Sequence, residues 1–223
     1  MVIAGVDGYK NGWVMVSQTD DGQVTVSLLS GFSQVMDCNC AIVVVDVPIG
    51  LLDRGTRSAD REARRLLRRR SCCVFTAPLR AMVGCSDYSE AQQCRLRVDG
   101  KGLTKQSWAI MPKIREVDRL LTPETQSCIR EGHPEVSFAQ MNNGQPLTVS
   151  KHTLEGEHAR IALLATHFSS VPFHVQEHRR VAEDVIDAYA MLWTARRICD
   201  GCAVALPEQS PKDSRGLLMQ IWA

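Results

Sequence analysis

The stretch "AIVVVDVPIG", residues 41–50, constrains the fold more than any other part of this chain. Four consecutive branched residues, Ile42 to Val45, leave no polar position on either side, so a strand here is buried on both faces. It stops on an acid, Asp46, and Pro48 and Gly50 break the backbone beyond it. A carboxylate that follows a wholly apolar strand must find a partner or water. The chain opens in a similar way. "GVDGYKNGWVMV", residues 5–16, sets two apolar strands at 2–6 and 12–17 around a tight polar turn, with Asp7 where the first strand ends. A third strand at 24–29 follows the hairpin signal Asp20-Asp21-Gly22.

Beyond residue 50 the pattern turns mainly helical. Ser58 is placed to cap a helix on which Arg61, Arg64, Arg65 and Arg68 recur at helical spacing. A short helix is expected around 89–96. A firmer one runs over 104–121, kinked or divided by Pro112. "HPEVSF", residues 133–138, reads as a short strand after a turn, 154–168 as an amphipathic helix, and 180–199 as the cleanest helix of all. "GLLMQIWA" at 216–223 suits an edge strand. The chain is therefore expected to be α/β, with an antiparallel N-terminal meander and later strands joined through crossovers.

The acids sort by position. Asp7 ends the first strand and Asp46 the fourth; if those strands are neighbours, the two carboxylates meet at one end of the sheet. Asp184 and Asp187, three apart on the late helix, share a face. Glu135 sits in the His133-Pro134-Glu135 segment. Each has an ordinary alternative: turn chemistry for Asp7 beside Gly8, and helix-dipole placement for Asp184 and Asp187. Gathered at one sheet end, they would repel unless a cation sat among them. Mg²⁺ prefers a few carboxylates plus water and phosphate oxygens. Two such ions about 3.5–4 Å apart serve both the attacking and leaving oxygens of a phosphodiester.

At 223 residues and 44% hydrophobic, the chain has material for one well-filled domain. The formal net charge of +1 hides a basic block: eight arginines between Arg54 and Arg70, against Asp60 and Glu62. The block reads either as a solvated helix face or as a grip on a nucleic-acid backbone. Lys101, Lys105, Lys113 and Arg115 form a second, weaker basic group. Aromatic residues are 5% of the chain, too few for an extensive base-stacking platform. Nine cysteines at irregular spacing and a start without a basic-then-apolar leader point to a cytoplasmic protein with reduced thiols. Cys199-x-x-Cys202 lacks the second ligand pair of a structural zinc site. No apolar run approaches a membrane span.

Taken together, "GVDGYKNGWVMV", "VVVDVPIGL", "SADREARRLLRRRSCCVFTAP", "LTKQSWAIMPKIREVD", "HPEVSF" and "EDVIDAYAMLWTARR" resemble a family of predicted RNase H-like nucleases, catalogued as domain of unknown function 429. The resemblance runs nearly end to end. It implies one RNase H-like domain over 1–223, a five-stranded mixed sheet flanked by helices, with 71–132 a helical insertion or subdomain. The opening hairpin is similar to that of RuvC-type Holliday-junction resolvases. Their acids, on the first strand, near the end of the fourth and as a D-x-x-D pair on the last core helix, carry over by position to Asp7, Asp46, Asp184 and Asp187. Asp46 stands where resolvases use glutamate. Glu135 belongs to a family motif without a resolvase counterpart.

The resemblance implies a nuclease dependent on Mg²⁺ or Mn²⁺, with two ions held by Asp7, Asp46, Asp184 and Asp187, and with Glu135 binding the second ion or orienting water. Nucleic acid, RNA or DNA, would lie along Arg61, Arg64, Arg65, Arg68, Lys105, Lys113 and Arg115, with Lys105 or Lys113 beside the reacting phosphate. His133 is a turn residue or a proton shuttle. A junction substrate would call for a two-fold homodimer. Two other expectations compete: a non-catalytic binding module on the same fold, and an actin-like phosphotransferase. The chain is short for the latter and has no Gly-Gly pair.

Overall fold

The computed structural model describes all 223 residues. Strands β1 (Val2–Tyr9), β2 (Gly12–Thr19) and β3 (Val24–Leu29) form the antiparallel meander expected of them. Helix α1 (Phe32–Met36) leads to β4 (Ile42–Val45), which pairs parallel to β1 with Val6 opposite Val45. Helix α2 (Ser58–Leu67) and a 3₁₀ turn at Arg68–Cys73 carry the arginine block. Helix α3 (Tyr88–Asp99) starts where Asp87 accepts the Glu90 N–H at 2.9 Å and stops at Gly100, whose φ of 65° suits a glycine.

The expected helix over 104–121 is two helices, α4 (Lys105–Ala109) and α5 (Met111–Leu120), divided as Pro112 requires: proline sits in the first turn of α5, where its missing N–H costs nothing. Strand β5 (Ile129–Gly132) pairs parallel to β4. Next come α6 (Pro134–Met141), α7 (Leu154–Ala165), α8 (Val171–Glu177) and α9 (Ala182–Cys199). Strands β6 (Ala205–Leu206) and β7 (Ile221–Trp222) complete the sheet, in the order β3-β2-β1-β4-β5-β7-β6.

Three expectations need correction. The sheet has seven strands, not five. The "HPEVSF" segment is not a strand but the start of α6: His133 is the residue before the helix and Pro134 opens it, a placement that pre-sets helical φ. The strand lies just upstream, at Ile129–Gly132, where "IREG" offers almost no apolar pattern of its own. Finally, β7 is not at the edge; it lies between β5 and the short edge strand β6.

Helices cover both faces of the sheet, as the unbroken apolar run of β4 requires. On one face Ile3, Val14 and Val44 pack under α7, α8 and α9. On the other, Ala4, Val6, Trp13, Val43 and Val45 pack under Phe32 and Val35 of α1 and Ile114 and Val117 of α5. Within 71–132, α5 and β5 belong to these central layers. The stretch between them and α2 has its own small core, including Leu79, Met82, Ala91 and Leu103.

One contact fixes the height of α9 over the sheet. A Cβ on Gly5 would lie 2.0 Å from the Leu192 nitrogen and 2.1 Å from the Ala188 carbonyl oxygen. On Gly132 it would lie 2.5 Å from the Met191 sulfur and 2.5 Å from Val44 Cγ1. At Gly5, where the atoms met are helix backbone, only glycine admits helix and strand this close.

Candidate carboxylate site

Side chains alternate along a strand, and that alternation aims the acids. Ile3 and Gly5 face α9, so Asp7, two residues further on, faces it too. Val44 packs on the α9 side of β4, and Asp46, two residues on, points the same way. The parallel register brings the two acids side by side where the β1–β4 pairing stops, and the Asp46 N–H donates to the Val6 carbonyl at 3.0 Å. Asp46 follows β4 as expected, but Asp7 does not end its strand, since β1 runs on to Tyr9 against β2. Helix α9 rests on Gly5 through Ala188 and Leu192. Its preceding turn therefore carries Asp187 and Asp184 over the same end of the sheet.

The four carboxylates feel one another. The Asp7 carboxyl is pushed well above its ordinary value, first by burial and then by Asp46, Asp187 and Asp184. Asp46 is pushed up to about 6, chiefly by burial and further by Asp187 and Glu135, while His133 and Lys151 pull it back. Asp184 also rises to about 6, by burial and then by Asp187 and Glu183. Burial raises Asp187 as well, against the pull of Lys151. Asp187 is 2% exposed, and its Oδ1 is buried without a hydrogen-bond partner. Asp7 uses Oδ1 to accept the Gly8 N–H at 2.7 Å.

Lys151, in the loop before α7, is the cation nearest this cluster that the sequence reading did not anticipate. Its Nζ donates to Asp187 Oδ2 at 2.7 Å and lies 3.0 Å from Glu183 Oε1. Nothing in "LTVSKHTLE" signals that contact, because Lys151 reaches the acids only through the fold of the loop. Glu135 comes to the flank of the cluster. It is buried and paired through Oε1 with Arg160 Nη2 at 2.5 Å, and Arg160 itself is 1% exposed. No three His, Cys, Asp or Glu side chains stand close enough together to hold a metal ion as they are now arranged. An ion entering here has to draw the carboxylates inward and compete with Lys151.

A cleft of about 360 Å³ opens beside the cluster, lined at its near end by Asp46, His133, Glu135, Lys151 and Asp187. Its floor is a closed ionic network. Arg57 Nη2 bonds Asp60 Oδ1 and Glu131 Oε1 at 2.6 Å each, and all three residues are buried. Arg57 was counted within the basic block; the structure makes it a structural residue.

The basic residues expected to line nucleic acid do not act alike. Arg64 is spent on the Val74 carbonyl and the Thr76 hydroxyl, and Arg115 on the carbonyls of Val83 and Cys85. Arg61 reaches the Thr56 carbonyl but stays exposed, as do Arg65, Arg68 and Lys105. Lys113 donates to the Gly12 carbonyl, lies 4.5 Å from the Trp13 ring centroid and is close enough to Asp7 and Asp184 to be influenced by both. All nine cysteines are free thiols, and no helix is long and apolar enough to cross a membrane.

The fold and site thus define an α/β protein of three layers, with acids from two adjacent parallel strands and one covering helix meeting beside a cleft. The chain belongs to the family described as Protein of unknown function (DUF429), whose model matches residues 5–212. No curated protein and no solved structure matches it.

Proposed function

We propose that the chain is a divalent-metal-dependent hydrolase of nucleic-acid phosphodiester bonds, built on an RNase H-like core and using Mg²⁺ or Mn²⁺. The observation that carries this reading is the set Asp7, Asp46, Asp184 and Asp187. These are four mutually repelling carboxylates on rigid elements, one of them with a buried oxygen left without a partner. Such an arrangement is costly unless a cation relieves it. A divalent cation bound there supplies Lewis acidity at phosphorus and a more acidic water.

The chain's own groups do the rest. Asp7 and Asp46 provide a fixed pair of oxygens at the sheet end, and the first turns of α9 provide the other two. Lys151, which lines the cleft, offers positive charge to a phosphate entering it, while Lys113 acts on Asp7 and Asp184 from the α5 side of the sheet. Glu135, locked by Arg160, keeps its carboxylate at the flank of Asp46 and Asp187. Exposed Arg61, Arg65 and Arg68 suit backbone contact outside the cleft.

One observation favours a second reading. Lys151 already neutralises Asp187, so the cluster can persist without a cation in a non-catalytic binding module. Melting temperature against Mn²⁺, for wild type and Asp7→Asn, separates the two. A site that binds cation only in the folded state raises stability by RT ln(1 + [L]/Kd), about 2.7 kcal/mol at a hundredfold excess over Kd. The expected result is a rise in wild type that is lost in Asp7→Asn, followed by Mn²⁺-dependent cleavage of RNA or DNA. A wild type indifferent to Mn²⁺, or a mutant that responds equally, would hand the site to the binding module.

A further inference from the structure

The cleft does not end at the carboxylates. Besides the acids it is lined by Arg70, Cys72 and Cys73 of the 3₁₀ turn, by Val74 and Phe75 after it, and by Ile110, with His133 Nε2 3.3 Å from the Cys73 carbonyl. Three features mark it as a place for a ligand rather than a packing gap.

Arg70 is the first. Other arginines of the block that come near the cleft are spent, Arg57 on Asp60 and Glu131, Arg64 on Val74 and Thr76. The Arg70 Nε is buried without a partner. A guanidinium N–H removed from water and left unbonded costs stability that an anion would return. His133 is the second. Its Nε2 faces the Cys73 carbonyl at 3.3 Å, while Nδ1 is buried with no partner. Phe75 is the third. Phe32, Phe138 and Phe168 are buried in the core, but Phe75 lines this cleft with 42% of its surface exposed. An apolar ring held open beside an unbonded guanidinium is a stacking face next to an anion hook.

Size sets the last limit. About 360 Å³ lies at the lower end of small-molecule sites, roughly 300–1,000 Å³. That suits one base with its sugar and phosphate, not a stacked pair of strands. We infer that the cleft is a pocket for a single unpaired nucleotide, its base on Phe75, its phosphate at Arg70 and a hydroxyl or base N–H donating to His133 Nδ1. In a strand, that nucleotide would lead the adjoining phosphodiester to Asp46 and Asp187. The pocket rests on the hydrolytic reading only for what happens to that phosphodiester. The substrate is then a single strand or an unpaired end rather than a continuous duplex.

The test is fluorescence anisotropy of a short fluorescein-labelled single strand, as RNA and as DNA, and of the same strand annealed to its complement. It is run in Ca²⁺ with the full chain as wild type, Phe75→Ala, Phe75→Tyr and Arg70→Gln. Phe75 belongs to none of the buried core clusters, so its truncation leaves the core intact. Single strand should bind more tightly than duplex. Phe75→Ala should weaken single-strand binding by roughly 5- to 150-fold, the range for loss of one stacked base, and Phe75→Tyr should restore it. Arg70→Gln should weaken binding and flatten its salt dependence by about one phosphate contact.

Unlabelled mononucleotide that displaces the strand at similar concentration would assign the pocket to a free nucleotide; failure to displace would assign it to a nucleotide within a strand. Single-strand binding that is absent, that ignores Phe75→Ala, or that is no tighter than duplex binding overturns the pocket. The two proposals fail separately. Phe75-dependent binding without hydrolysis under any metal keeps the pocket and removes the nuclease. Hydrolysis with binding indifferent to Phe75 does the reverse.

Discussion

Asp46→Asn should make the metal-free protein more stable at neutral pH, and the amount follows from the site. Burial and the neighbouring acids raise the Asp46 carboxyl from an ordinary 3.8 to about 6. Each pH unit of such a difference is worth 1.36 kcal/mol, so ionising Asp46 in the folded chain costs about 3 kcal/mol more than in the unfolded chain. The sign follows from the raised folded-state value. The stabilisation that protonated Asp46 gives the fold is fully present below pH 3.8 and is lost as pH rises through about 6.

Asparagine never ionises and so avoids the penalty. Its advantage should be absent below about pH 4, grow between 4 and 6, and be complete above that. For a chain of this size, 1 kcal/mol moves Tm by about 2–4 °C, so the variant should melt about 6–12 °C higher at pH 7.5 in chelator. Urea denaturation of both proteins from pH 4 to 8, with chelator throughout, reads this directly. An advantage that is missing at pH 7.5, or that is the same at pH 4, would refute the account of Asp46 as a half-buried acid among acids.

Two further outcomes follow from the same electrostatics. Lys151→Met removes the one ammonium bonded to Asp187, and should cost about 2 kcal/mol near pH 8, below the 3–5 kcal/mol of a fully buried pair because Lys151 is 31% exposed. Urea denaturation should show that deficit shrinking as pH falls and the raised Asp187 carboxyl takes up its proton, and melting curves should show a larger Mn²⁺-induced rise than in wild type, since the competing cation is gone. Arg160→Met strands the buried Glu135 carboxylate and should cost about 3–5 kcal/mol in urea denaturation, with Glu135→Gln added to the same chain recovering part of it.

Much of the sheet was legible because strand burial writes itself into composition. The run Ile42–Val45 could only be a strand covered on both sides, and the meander announced itself through apolar pairs around Asp20-Asp21-Gly22. Pro112 divided a helix because its ring forbids anything else. What escaped notice lacked any local signal. Strand β5 reads "IREG", and its glutamate is buried only because Arg57, from another element, meets it. The "HPEVSF" segment has strand-like residues, but Pro134 at the start of a helix outweighed their preference.

The acids were legible one by one, Asp46 as the ending of a strand and Asp184 and Asp187 as an i, i+3 pair, while Asp7 lies inside β1, which runs on to Tyr9. The groups that tune them were not. Lys151 and Arg160 touch acids 36 and 25 residues away. Nothing in spacing or composition distinguishes them from solvent-facing charges.

The glycine contact beneath α9 has a consequence for how this protein can change over generations. Helix and strand there touch backbone to backbone, so the offset between Asp187 and Asp7 is not carried by side chains that mutation can enlarge or trim. The apolar layers on either side can exchange one branched residue for another and repack while the acids keep their spacing. The hydrophobic interior is free to wander in sequence; the constellation of charges is anchored to one glycine, Gly5.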